Sequence, residues 1–532
     1  MAQAKQSTIE RHLSRRFQVS LVFEGALVGL LTGGVITLYR IALSWGERTL
    51  RGLLAYIQGN YLGILGLVAL LVFAMLAVGA LMMWEPNTVG SGIPQVDAEV
   101  AGRLDMPWQR VLAAKFAEGT LLSLSGLSLG REGPSVQLGG VSGKAVSRLM
   151  HKGRGEEHIL ITCGAASGMS AAFQAPLTGV MFALEEIHKV FTAPLVISVM
   201  VSSVMADYVT SRVLGLAPVL SLNFTTDLPL GAYPLVILMG IVMGVLGAAH
   251  NQGMFFIQDL MGHIKGKTPY PKLAVAFVLT GIAALAVPVL LCGGDAIAEI
   301  LLSDKLEPLG FVLAVLVGKY LLTAICFGSG APGGTLFPLV MLGGLAGCAF
   351  GIITTRTCGI EPMYVRNFMI LGITGLFAGA IRAPLTGIVM VFELTRSMDS
   401  LLAASVVAVF AYVTANVLNV DPYYEHLFAR LIGVDTADEK ITHAHSHRKI
   451  IHTHMVEATS PLEGKRISEV QWPEHSLVVT VTRAGVEIVP RGYTRIQALD
   501  RIMVIMDVEN EYETEQALRA MCHAPLGEVA GR

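Results

Sequence analysis

Charge is the scarcest property of this sequence. Asp, Glu, Lys and Arg make up 15% of its 532 residues, whereas a soluble domain carries about a quarter. That shortage argues against a water-facing globule and against a disordered chain. Lys and Arg number 38 against 40 Asp and Glu, a net charge of −2, so no nucleic acid or other polyanionic partner is implied. Cysteine is sparse too. The six are Cys163, Cys292, Cys326, Cys348, Cys358 and Cys522, with no CxxC pair. Most fall in apolar runs and read as small buried hydrophobes, not as a disulfide framework or zinc site. The apolar body lacks a nucleophile–base pair, a phosphate loop and metal-spaced histidines, so an enzyme is not expected.

What is abundant is apolar sequence: 53% of residues are hydrophobic and 57 are glycine. Glycine at this level suits helices packed closely inside a bilayer. Apolar segments recur from 19–43 through to 400–419. Some are long enough to span about 30 Å of hydrocarbon; others are short and broken by Gly and Pro. The expected fold class is an all-α polytopic membrane protein followed by a small cytoplasmic α+β domain. Residues 448–532 hold 22 charged side chains, the soluble norm, and the preceding 447 hold only 56. No cleavable signal peptide is read at the start. Lys5, Arg11, Arg15 and Arg16 precede the first long apolar run, which places the N-terminus in the cytoplasm by the positive-inside rule.

These shifts divide the chain into a transport-sized body over 1–430, a linker over 431–454 and a tail over 455–532. The linker ends in His443, His445, His447, His452 and His454. Those histidines admit a metal site, but no Cys or close carboxylate completes a ligand set, which favours a plain polar linker. In the tail, Leu477–Thr482 and Arg501–Met506 read as strands. Glu511–Met521 reads as a helix with Glu513, Glu515 and Arg519 on its wet face.

The body is internally duplicated. A shift of 204 carries Lys115 onto Lys319, Gly126 onto Gly330, Gly130 onto Gly334, Pro134 onto Pro338 and Leu138-Gly139-Gly140 onto Leu342-Gly343-Gly344. A shift of 208 carries Ala175-Pro176-Leu177-Thr178-Gly179 onto Ala383-Pro384-Leu385-Thr386-Gly387, and Glu185 onto Glu393. The repeats run about 19–213 and 230–430. Sequence does not tell whether they are parallel or inverted.

Three breaks carry the chemistry: Gly90-Ser91-Gly92-Ile93-Pro94, Gly130-Arg131-Glu132-Gly133-Pro134 and Gly330-Ala331-Pro332-Gly333-Gly334. Glycine uncovers backbone N–H groups, and proline suits a helix start. Helix starts present unpaired N–H donors and the positive end of the dipole. Several aimed at one point in low dielectric would hold an anion without a full positive charge. The alternative, kinks for helix packing, explains one break better than three.

Glu132 is the most informative residue, since a carboxylate at membrane depth is costly and functional by default. Ionised, it can sit in an anion's place; protonated, it can leave. A salt bridge to Arg131 is disfavoured because adjacent helix residues do not face each other. Glu185 and Glu186, beside His188 and Lys189, read as an ordinary boundary of the apolar run or a proton relay, with the boundary favoured. Lys115 and Lys319 either lend positive potential to an anion path or snorkel.

With these residues in place the body, over about 19–430, resembles the CLC family of chloride channels and chloride/proton exchangers. The resemblance rests on the three glycine motifs in order, followed by Asp421-Pro422-Tyr423-Tyr424. It implies two inverted repeats of tilted, broken helices, a homodimer with a separate pathway in each subunit, and chloride exchanged for protons across an inner membrane. The rival is a passive voltage- or pH-gated chloride channel of the same fold, regulated through the tail. By resemblance, Ser91, Tyr424 and the amides of Thr335 and Leu336 bind chloride. Glu132 is the external gating and proton glutamate, and Glu186 the internal proton glutamate of exchangers. No cofactor or metal is implied; chloride and protons are substrates. Gln95, Asp97 and His188 depart from the family pattern near the intracellular route. Ser91 in place of proline favours chloride over nitrate, and intact GSGIP and GREGP argue against the fluoride-exporting branch. The tail resembles the TrkA-C (RCK C-terminal) domain, through Ser460–Lys465, Val481-Thr482-Arg483 and Val489–Gly492, which implies an unidentified small regulatory ligand at 455–532.

Overall fold

The structure is a computed structural model that describes residues 2–57, 61–216, 220, 224, 228–303, 307–433, 449–474, 476–483, 486–507 and 511–523. The chain divides into two compact units, Met1–Gly433 and Val434–Arg532.

The first unit is helical throughout. Its elements are α1 (Ala2–Ile57), α2 (Tyr61–Trp84), α3 (Ile93–Val100), α4 (Trp108–Ser125), α5 (Glu132–Leu149), α6 (Arg154–Phe173), α7 (Pro176–Phe182), α8 (Ala193–Leu214) and α9 (Tyr233–Gly262). They continue with α10 (Tyr270–Ala286), α11 (Asp295–Leu302), α12 (Leu309–Gly328), α13 (Leu336–Cys358), α14 (Val365–Ala380), α15 (Pro384–Thr395), α16 (Ser400–Val417) and α17 (Tyr423–Ile432). Eight helices among the described residues are long and apolar enough to cross a bilayer. The first is longer than the expected 19–43: no proline interrupts the chain from Met1 to Ile57, so the helix runs on past both ends of the apolar stretch.

The centre of the unit is α5 with α6 and, in the other half, α13 with α14. In both pairs glycine faces backbone. A Cβ built on Gly343 would meet the Gly372 carbonyl oxygen at 2.8 Å, and one on Gly168 would run into the Ser135 carbonyl. Close packing of this kind substitutes for a hydrophobic drive that lipid does not supply.

The repeats are inverted. Gly130 and Gly334, equivalent by sequence, form an isolated antiparallel bridge with N–H···O distances of 2.6 and 2.8 Å. Helices α5 and α13 therefore start back to back about a local two-fold axis. From there α5 runs toward the N-terminal end of α1, where Lys152 pairs with Glu24 at 2.5 Å. Helix α13 runs the other way: its Leu345 and Cys348 share a small cavity with Ile300 and Leu301 of α11. Helix α11 is tied to the far end of α1 by Arg51–Glu299 at 3.0 Å.

A second reciprocal contact repeats the symmetry. The Glu185 carboxylate accepts from the N–H groups of Leu385 (3.2 Å) and Thr386 (2.8 Å) at the start of α15. Glu393 accepts from Leu177 (2.8 Å) and Thr178 (2.7 Å) at the start of α7. The hydroxyls of Thr386 and Thr178 add a bond each, at 2.7 and 2.6 Å. Each half thus caps a helix of the other with a charge-assisted bond set.

The second unit is a four-stranded antiparallel sheet in the order β1-β4-β2-β3, with β1 Lys449–Met455, β2 Ser476–Arg483, β3 Val486–Ile488 and β4 Arg501–Asp507. Helix α18 (Glu511–Cys522) lays Leu518 and Cys522 on a core of Val456, Val481, Ile502, Val504 and Met506. Arg483 binds Asp500 with two bonds, 2.8 and 2.7 Å, and closes one end of that core. The strands and helix read from sequence are present. Strand β1 is an addition: it begins inside the expected linker and carries His452 and His454, while His443, His445 and His447 lie outside the described residues. Among the described residues no group of three metal-ligating side chains converges. All six cysteines are free; four are buried, but Cys292 is half-buried and Cys358 exposed, so the buried reading does not extend to that last one.

Candidate functional site

All three glycine breaks open helices, as their residues dictate. Gly92 sits at the start of α3 with φ of +94°, a conformation that a side chain would strain. Its face is filled by Gln137, whose Oε1 would lie 2.6 Å from an added Cβ. The strand of chain before it, 86–91, is held by four buried polar groups. Lys115 donates to the carbonyl oxygens of Thr88 and Gly90, each at 2.7 Å. Glu118 accepts from the Thr88 hydroxyl at 2.9 Å, and Gln95 donates to the Val89 carbonyl at 2.7 Å. Gln137 donates to the Asn87 carbonyl at 2.8 Å.

Lys115 and its counterpart Lys319 therefore do not snorkel; both are buried and hold backbone carbonyls. Lys319 is fully buried and donates to the carbonyls of Leu290 (3.1 Å) and Cys292 (2.6 Å), just before α11. Each lysine fixes the loop that leads into a short helix, in matching places of the two repeats.

The starts of α3, α5 and α13 converge. A Cβ on Gly133 would touch the Ser91 hydroxyl at 2.5 Å and Gly334 Cα at 3.1 Å. Helix α17 brings Tyr424 to the same place, its hydroxyl facing Ser91. Neither hydroxyl closes a hydrogen bond, although both are buried. Thr335 caps α13, and Leu336 is that helix's first residue. Their N–H groups are among the four at a helix start that have no carbonyl within the helix. Buried polar groups are nearly always satisfied; the Ser91 and Tyr424 hydroxyls and the open helix starts bring donors to one place, an arrangement that suits an anion.

Glu132 is the first residue of α5 and has no exposed surface. Its own N–H and that of Phe337 face its carboxylate, yet both oxygens lack a hydrogen bond. Arg131 reaches it after all, with Nε 3.6 Å from Oε1. The expectation that neighbours on a helix face apart fails here because Arg131 is the cap and lies before the helix begins. The Arg131 guanidinium also approaches Asp295 (3.7 Å) and lies 5.4 Å over the Phe337 ring.

Glu186 is the second buried glutamate near Tyr424. The chain after α7 forms a single π turn, Ala183–His188, a widened turn often found at functional sites. It turns Glu185 toward α15 and leaves Glu186 buried, facing Lys189, Asp97 and Glu425. Phe182, just before the turn, meets the edge of Tyr424 with ring centroids 6.3 Å apart. Tyr424 is within electrostatic reach of both Glu132 and Glu186. His188 bonds the Thr162 hydroxyl at 3.0 Å and Gln95 belongs to the loop cradle, while Asp97 faces Glu186.

The family profile described as "Voltage gated chloride channel" matches residues 73–416, and that of the TrkA-C domain matches 451–519. The chain belongs to the CLC family. A relative named H(+)/Cl(-) exchange transporter ClcA, from Vibrio cholerae serotype O1 (strain M66-2), is 34% identical over 445 residues, covering 81% of this chain and 94% of the relative. The protein of that name from Vibrio vulnificus (strain YJ016) is 34% identical over 426 residues, 78% of this chain and 91% of its own. Among solved structures, a slow cyanobacterial Cl-/H+ antiporter superposes with a TM-score of 0.73 at 29% identity, covering 78% of this chain and 98% of that one. A eukaryotic CLC transporter superposes with a TM-score of 0.64 at 22% identity, covering 78% and 74%, a likeness of fold. The CLC motifs are legible in the sequence; the lysine cradles and the π turn are not. The in-register Glu185/Glu393 and Lys115/Lys319 pairs were the available signal.

Proposed function

We propose that this CLC protein is a chloride/proton antiporter of an inner membrane, homodimeric, with its N-terminus and tail in the cytoplasm. The observation that carries this reading is a pair of buried glutamates near Tyr424, Glu132 at the open start of α5 and Glu186 on the π turn beside Asp97. Chloride sits dehydrated between the Ser91 and Tyr424 hydroxyls and the amides of Thr335 and Leu336. Glu132 adjoins that seat and competes for it as a carboxylate; taking a proton removes its charge and releases the seat. Glu186 exchanges protons with the inner water through its polar neighbourhood. A passive channel needs the chloride seat and a gate; a second buried carboxylate on the inner side supports the exchanger.

In vesicles reconstituted with the full chain, an outward chloride gradient should drive protons inward against their own gradient. Chloride flux with no uphill proton movement would make the protein a channel. The tail is proposed to bind an unidentified small ligand that adjusts transport. Vesicles carrying a chain ended at 454 should transport at an altered rate or pH optimum; identical behaviour under every ligand and pH tried would remove the tail from regulation.

A further inference from the structure

The sequence singles out no acidic group on the outer side of Glu132, yet the structure places two there. A cavity is lined by Gly130, Arg131, Phe337 and Pro332 together with Glu47 of α1 and Asp295 of α11. Gly130 separates it from Glu132: a Cβ on that glycine would lie 2.6 Å from the Glu132 Oε2. Glu47 and Asp295 also line a second, wider cavity, with Arg51, Glu299 and Glu307. The two carboxylates are therefore shared between both cavities. They stand near the C-terminal end of α1, the end opposite the basic N-terminus.

The two acids differ in their company. Asp295 pairs with Arg131 at 3.7 Å. Arg51, one turn beyond Glu47, is taken by Glu299 at 3.0 Å. Among the described residues Glu47 makes no hydrogen bond or ion pair. The titratable and charged groups that face it are Arg51 on its own helix, Asp295 on α11, Arg131 before α5, Lys319 on α12 and Cys292 in the loop before α11. Tyr39 lines the same cavity. Lys319 spends its protons on two carbonyls. The wall nearest Glu132 thus holds two carboxylates against the one guanidinium of Arg131, already paired with Asp295, an arrangement that opposes an anion unless one acid carries a proton. Glu47, the acid without a partner, is the one placed to carry it.

We propose that Glu47 is the outer proton relay of Glu132, an inference that rests on the antiport reading. Protonated from the outer water, Glu47 donates its carboxyl proton through cavity water to the Glu132 carboxylate. It is left ionised and is reprotonated from outside. In its protonated form it also balances the charge of the vestibule while chloride passes Arg131.

The test is the proton-to-chloride flux ratio as a function of outer pH, measured in vesicles for the wild type, Glu47→Gln, Glu47→His and Glu299→Gln. In Glu47→Gln the ratio should fall about a hundred-fold, the low end of what a positioned proton donor supplies, and its outer-pH profile should flatten. Glu47→His, whose side chain is also able to take up and release a proton near neutral pH, should restore proton flux. Glu299→Gln, which frees Arg51 to pair with Glu47, should lower the ratio in the same direction as Glu47→Gln but by less. A wild-type ratio and profile in Glu47→Gln would overturn the relay, and so would a proportional loss of both ions without rescue by Glu47→His. If the wild type itself moves no protons, the antiport reading fails instead.

Discussion

Glu132→Gln is expected to stop coupled proton movement, by about a hundred-fold or more, while chloride continues to cross. The side chain keeps its shape and loses its charge. It can then neither carry a proton nor fill the place of an anion among the starts of α5 and α13. The surroundings make this a sensitive position. Both carboxylate oxygens are buried without a hydrogen bond, and among the described residues the cation in contact is Arg131 at 3.6 Å. Ionised, Glu132 gains from Arg131 and the helix dipole and loses by burial; those opposing contributions let a proton come and go. Glu186→Gln should likewise uncouple, because it removes the inner partner. The measurement is simultaneous chloride release and pH change in vesicles. Proton movement that survives Glu132→Gln would refute the role given to that residue.

Gly334→Val should be the most damaging change to the frame. A Cβ at this position would lie 2.8 Å from the Gly133 nitrogen and 3.2 Å from its Cα. Neither is the tip of a flexible side chain, so the backbone must move. Moving it breaks the two bonds between Gly130 and Gly334 and parts the starts of α5 and α13. Overpacking costs about 1–3 kcal/mol, and two buried hydrogen bonds add roughly 1 kcal/mol each. Transport should fall to background and melting in detergent should come several degrees earlier. Gly155→Ala in α6, where an added Cβ meets nothing within 4 Å, is the matched control and should behave as wild type. A Gly334→Val protein that transports normally would mean that the contact between helix starts is dispensable.

The three helix starts could be read from residue chemistry because glycine and proline constrain the backbone wherever they fall. The duplication was equally plain, and its sense followed from the bridge between Gly130 and Gly334. Other features depended on tertiary partners that a linear pattern does not encode. Glu185 and Glu186 look alike in sequence; the π turn sends one to cap α15 and buries the other beside Asp97. Lys115 and Lys319 stand out in sequence as cations inside apolar segments, but their carbonyl partners lie 25 to 29 residues away in the chain. Glu47 passed unremarked because a single acid near the end of an apolar helix has the look of a membrane boundary. His452 and His454 read as linker, since a histidine-rich run has weak strand character until β4 pairs with it.

The crossed caps made by Glu185 and Glu393 bear on the origin of the molecule. Neither half can finish its own helix: the donors at the start of α7 are answered by an acid roughly two hundred residues downstream, and those of α15 by one as far upstream. An ancestor with a single half would have needed a twin to supply the missing acid, each lending what it lacked. Fusion of the two copies preserved that mutual debt inside one polypeptide.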